Sequence, residues 1–124
     1  MKYQAFINGI LIAAICAFAG CQAPEEHNPL VVGDWQGTEW LIFDKSSGMD
    51  ASQVHFGFQA DGRYSAQFGN QQQQGVWRTE RDKLYTTEDG KKEIMVKILQ
   101  LDSLRLVFEM NRGGQKETLK LEKK

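Results

Sequence analysis

Beyond residue 33, apolar residues return at every second position, and clusters of Asp, Gly, Ser and Asn interrupt them at intervals of about 8–12 residues, the period of antiparallel strands in a barrel or sandwich. No stretch keeps a helical period for three turns. The alternation predicts eight strands, over residues 34–43, 53–59, 63–68, 75–79, 83–87, 92–101, 104–110 and 117–121. Asp61-Gly62 and Asp89-Gly90 are strong hairpin signals, because glycine accepts the positive φ that tight primed turns require. Arg81-Asp82, Asp102-Ser103 and Arg112-Gly113-Gly114 are weaker turns of the same kind, and residues 70–74, one asparagine and four glutamines, read as a solvated hairpin tip.

Alternation also assigns an interior. Val54, Phe56 and Phe58 share one face with Tyr64, Ala66 and Phe68, and Trp77, Leu84, Ile94, Val96, Ile98, Leu104, Leu106, Phe108, Met110, Leu119 and Leu121 continue it. The opposite face carries His55, Gln59, Arg63, Ser65, Gln67, Arg78, Lys97, Arg105, Glu109, Thr118 and Lys120. The first strand breaks the rule, since Trp35 and Trp40 fall on opposite parities. A bulge or bend at Gly37 would restore it, bringing Trp35, Trp40 and Ile42 to one side. Without it Glu39 points inward, and a buried carboxylate lacking a partner is costly. The predicted fold is all-β: an eight-stranded antiparallel up-and-down meander that closes into a barrel and leaves no free edge.

The head of the chain follows a different pattern. Lys2, an apolar run over residues 5–18 and the small residues Ala19 and Gly20 before Cys21 have the layout of a secretory signal. A transmembrane anchor fits less well, because Asn8 and Gly9 interrupt a run already shorter than the roughly 20 residues a spanning helix needs. Phe18-Ala19-Gly20-Cys21 resembles the lipobox of bacterial lipoproteins, with Phe18 where Leu is usual. The resemblance implies a signal peptide over 1–20, a thiol at Cys21 that receives lipid and becomes the acylated N-terminus, a polar tether through residue 28, and one domain over 29–124. More than one acyl chain is needed for stable attachment, and a triacylated Cys21 meets that condition. The expected location is the bacterial cell envelope, at the outer membrane, with the periplasmic face and the cell surface both open.

Charge and composition narrow the chemistry. Lys and Arg number 15 against 16 Asp and Glu, for a net charge of −1, and they are interspersed, which argues against a nucleic-acid surface. Cys16 leaves with the signal and Cys21 carries lipid, so no disulfide or redox centre is expected. His27 and His55 are the only imidazoles, far apart and without cysteine partners, so no metal site follows. No G-x-S-x-G elbow or other catalytic constellation is present. The reading is a non-enzymatic protein without cofactor.

Gly33-Asp34-Trp35 at the head of an eight-strand meander resembles the G-x-W signature of lipocalins. With Phe58-Gln59-Ala60-Asp61-Gly62-Arg63-Tyr64, Gly75-Val76-Trp77, Lys83-Leu84-Tyr85 and Asp102-Ser103-Leu104-Arg105-Leu106, the chain is similar to the lipocalin-like domain of Bacteroides-type lipoproteins over residues 29–124. The resemblance implies that Trp35 closes one barrel end beneath a basic residue near the last strand, for which Arg105 and Arg112 are the candidates. It also implies a small apolar ligand at the barrel mouth, lined by Trp35, Trp40, Phe58, Tyr64 and Trp77. An eight-stranded interior is just wide enough to be filled by side chains or to hold one small ligand. The rival reading is a solid barrel docking an envelope protein partner through Tyr85, Met95, Leu99 and Val107, apolar residues on the otherwise polar face. Asp102-Ser103-Leu104 further resembles an O-glycosylation sequence of Bacteroides-type secreted proteins, with Ser103 as the acceptor.

Overall fold

The computed structural model describes residues 26–124. The signal sequence, Cys21 and the first part of the tether lie outside the described residues. Strands run over β1 (Gly33–Ile42), β2 (Lys45–Ser46), β3 (Val54–Phe58), β4 (Arg63–Phe68), β5 (Gln71–Glu80), β6 (Lys83–Glu88), β7 (Glu93–Leu101), β8 (Arg105–Arg112) and β9 (Gln115–Lys123), with one 3-10 turn at Ala51–Gln53. Every pairing between strands is antiparallel, and β9 returns to β1. Eight strands thus close a barrel, and the short β2 folds back on the end of β1. Its two-residue turn, Phe43 and Asp44, has positive φ at both positions, as primed hairpins require.

The irregular first strand resolves as a bulge. Gly37 pairs with Leu121 and Glu39 with Lys120, so Thr38 is the extra residue. The slip aligns Trp40 with Leu119 and Ile42 with Glu117, returning the second half of β1 to the core parity. Glu39 faces outward, its carboxylate 2.9 Å from the Lys120 ammonium. Gly37 is fixed by space: a Cβ there would collide with the Ala51 carbonyl.

The core is one cluster built around Trp35, Phe56, Phe58, Tyr64, Trp77, Leu106, Phe108 and Leu119. Phe56 stacks on Phe58 at 5.4 Å and meets Phe68 and Phe108 edge-on. Two residues expected inside are not. Leu104 is 67% exposed because the Asp102 carboxylate accepts its N–H in a tight turn and delays β8 by one residue. Ile94 is 60% exposed because the β7–β8 ladder runs only from Lys97↔Glu109 to Leu101↔Leu106. Beyond it β7 and β8 part, and Ile94 has no strand beside it on that flank.

Residues 70–74 are not a loop tip. Gln71, Gln72, Gln73 and Gln74 continue β5 and pair with β4, leaving Gly69 and Asn70 as the turn. The strand tolerates glutamine because Gln72 and Gln74 face water, while inward Gln73 accepts the Tyr64 hydroxyl at 2.8 Å. The end of the expected tether is also part of the fold. The Thr79 N–H donates to the Glu26 carbonyl at 2.7 Å, the Asn28 N–H to the Thr79 hydroxyl at 3.0 Å, and the His27 ring packs edge-on against Trp77 at 5.1 Å. This segment covers one barrel end, and fully buried Val31 plugs it. The opposite end carries the β1–β2 turn and the gap between β7 and β8.

Candidate functional site

The five aromatic residues expected to line a ligand do not share one role. Trp35, Phe58, Tyr64 and Trp77 are buried and stand toward the covered end. Phe58 contacts Trp77 at 5.4 Å and Tyr64 at 6.1 Å between ring centroids. Their polar atoms are committed to the scaffold: Trp35 Nε1 donates to the Val31 carbonyl at 2.8 Å, and Trp77 Nε1 to the Gln59 carbonyl at 2.9 Å. Burial pushes the Tyr64 hydroxyl above its ordinary range, so it remains a neutral donor to Gln73. A barrel of this size has room for little else once several aromatics, each of about 150–250 Å², are inside.

Trp40 differs. It is half-buried nearer the uncovered end, edge-on to Phe68 at 6.5 Å. Its Nε1 donates to Glu117 Oε1 at 2.8 Å. Glu117 is only 3% exposed, and its other oxygen accepts from Gln115 at 3.2 Å and lies 3.7 Å from Arg112 Nε. A charged group survives this burial because each oxygen has a donor. The sequence contained the signal, since Glu117 shares the parity of Leu119 and Leu121.

Neither candidate basic residue reaches Trp35. Arg112 lies beside Glu117, and Arg105 is exposed on β8. Lys123 takes the position, its ammonium 5.0 Å from the Trp35 ring centroid. The last strand runs two residues further than the alternation indicated, which places Lys123 opposite Trp35.

The outer wall holds two concave regions. A cleft of about 660 Å³ lies between β1, the 3-10 turn and the end of β9, bordered by Gln36, Thr38, Trp40, Met49, Ser52 and Lys124. A second, of about 270 Å³, crosses β1, β3, β4 and β5, bordered by Asp34, His55, Ser65, Gln67, Gln74 and Lys124. Elsewhere on the wall, Met95 and Leu99 are about half exposed, at 50% and 48%. Leu99 is the extra residue of a bulge between Ile98↔Phe108 and Gln100↔Val107. Val107 is half-buried, and Tyr85 is covered by the Arg78 guanidinium at 3.8 Å. Ser103 is exposed in its turn. Among the described residues, no three His, Cys, Asp or Glu side chains are gathered as a metal would require.

Comparison with known proteins adds a family and a fold. A family model described as a lipocalin-like domain matches residues 31–108, well over half of the chain. The crystal structure of an uncharacterized protein from Bacteroides eggerthii is similar, with a TM-score of 0.58 and 19% sequence identity over 75% of this chain and 98% of that one. At that identity the likeness speaks to fold alone. No curated protein matches.

Proposed function

The chain belongs to the lipocalin-like domain family, and from that premise we propose that it is a non-enzymatic, lipid-anchored accessory protein of the bacterial envelope, a solid barrel that recognises its partner with its outer wall. One observation carries this reading: four of the five aromatics that would line a ligand are buried, and the three of them that carry a polar atom, Trp35, Tyr64 and Trp77, are hydrogen-bonded into the scaffold. Binding energy for an apolar guest requires apolar surface left uncovered, and these side chains offer little. Attachment through Cys21 rests on the lipobox-like Phe18-Ala19-Gly20-Cys21. Recognition through β7 rests on Met95 and Leu99, two apolar side chains of that strand that are about half exposed.

A second reading has its own support at the uncovered end. Trp40 is half-buried, Phe68 stands beside it, and β7 and β8 part on the same end. A small apolar molecule held there would contact Trp40 first.

Native mass spectrometry of the mature acylated protein separates the two. The solid-barrel reading expects the protein mass plus acyl chains and nothing more. A stoichiometric apolar guest that disappears in Trp40→Ala, with the fold retained, overturns it in favour of the second. Cys21→Ser tests the anchor independently, because the protein should then leave the membrane fraction.

A further inference from the structure

The wall four strands around the barrel from Met95 and Leu99 has a different character. Cross-strand register sets two outward rows on it: Asp34, Gly57, Ser65 and Gln74, then Gln36, His55, Gln67 and Gln72. A barrel's outer wall is convex by construction, yet here it is hollowed into the 270 Å³ cleft. Gly57 is the reason. A Cβ at this position would lie 3.1 Å from both Asp34 Oδ1 and Ser65 Oγ, so those two oxygens lean together over a bare patch of backbone. Lys124 borders both this cleft and the 660 Å³ one, and the two form a trough that passes over β1.

The groups in the trough define what it can hold. Its side chains are mainly amides and hydroxyls: Gln36, Gln67, Gln72, Gln74, Ser52 and Ser65. Amides and hydroxyls both donate and accept, with neighbours in a row about 4.8 Å apart across strands. An apolar guest finds little to cover, since Trp40 and Met49 contribute at one end only. Acidic side chains face the trough beside a single basic one, Asp34, Glu39 and Glu122 with Lys124, so a polyanion is not favoured.

We propose that this trough binds a neutral, hydroxyl-rich ligand, a short saccharide, with Asp34, Ser65 and the glutamine amides bonding its hydroxyls and Gly57 as the floor that lets a sugar ring approach the sheet. The inference rests on the reading that the outer wall recognises, and it uses a surface separate from Met95 and Leu99. Affinity should be modest, because each hydrogen bond to the ligand replaces one that the protein already makes to water.

The test is calorimetric titration of the mature acylated protein in detergent. The probes are neutral oligosaccharides of glucose, mannose, galactose, xylose and N-acetylglucosamine, with oligogalacturonate as the acidic comparator. At least one neutral oligosaccharide should bind, and Asp34→Ala and Gly57→Val should each weaken it by roughly tenfold, the loss of one or two hydrogen bonds. Met95→Glu should leave it unchanged. Asp34 is exposed, so its variant keeps the test open if Gly57→Val fails to fold. Binding of no neutral probe, binding indifferent to both variants, or preference for oligogalacturonate overturns the proposal. None of those outcomes touches protein docking through β7, whereas loss of a copurified protein in Met95→Glu with unchanged sugar titration isolates that reading.

Discussion

Lys123 holds its ammonium 5.0 Å from the centroid of the Trp35 ring and donates to the Val32 carbonyl at 2.7 Å. One side chain from the last strand therefore clamps both the first strand's tryptophan and the segment that precedes it. Trp35 completes the circuit by donating to Val31. The covered end is thus built from the two extremities of the domain, which meet only when the barrel has closed.

This arrangement predicts an ordered set of losses. Trp35→Ala removes a fully buried indole and should cost about 3–5 kcal/mol. Lys123→Ala should cost about 1 kcal/mol, from the cation–π contact and the hydrogen bond together. Lys123→Arg should recover most of that, as a longer cation over the same ring. Urea unfolding followed by tryptophan fluorescence reads all three, and a Lys123→Ala protein as stable as the parent would show the clamp to be incidental.

At the uncovered end, Glu117 gives a sharper contrast. Glu117→Gln keeps an acceptor for the Trp40 indole and should be tolerated within about 1 kcal/mol. Glu117→Ala strands that indole N–H and removes the partner of Arg112, and should cost about 1–3 kcal/mol. The Trp40 indole proton resonance reports the hydrogen bond directly. It should shift strongly in the alanine variant and little in the glutamine variant.

Much of this barrel was legible from alternation alone, because period two is imposed wherever one face is buried. The bulge in β1 was legible too, since Trp35, Gly37, Glu39 and Trp40 admit only one register that spares a carboxylate. What alternation missed has specific causes. Gln71 to Gln74 carry no apolar mark, so their strand shows only through pairing with β4. Ile94 and Leu104 obey the parity but lack neighbours, and burial depends on what stands alongside as well as on which way a side chain points. Lys123 escaped notice because register, which set it against Trp35, is a relation between the two ends of the chain. Gly57 reads as an ordinary strand glycine, and its part in the outer cleft appears only when Asp34 and Ser65 are placed beside it.

Acid sensitivity should trace partly to Asp102. Its carboxylate accepts the N–H groups of Leu104 and Arg105, each at 2.8 Å, and these bonds hold it below the usual value of 3.8. A depressed carboxyl contributes stability that is fully present above its unfolded value and is lost as pH falls through the lower folded one. Asp102→Asn retains the acceptor but not the charge. Thermal midpoints should therefore favour the parent at neutral pH, and the difference should shrink once pH drops below 3.8. A constant difference across that range would assign the effect to turn geometry instead of charge.

Two glycines should respond unequally to the same methyl group. At Gly37 an added Cβ meets the Ala51 carbonyl, backbone held by a buried residue that anchors the 3-10 turn. Neither side can yield without moving the turn, so Gly37→Ala should cost about 1–3 kcal/mol, as other overpacked sites do. Amide shifts should move from Asp50 to Val54 and along the larger outer cleft. At Gly57 the added Cβ meets only the Asp34 carboxylate and Ser65 hydroxyl at 3.1 Å, ends of side chains that can swing toward water. Gly57→Ala should change stability by less than about 0.5 kcal/mol while making the smaller cleft shallower. A Gly37→Ala protein as stable as the parent in urea would mean that the β1 bulge is not held by contact with the 3-10 turn.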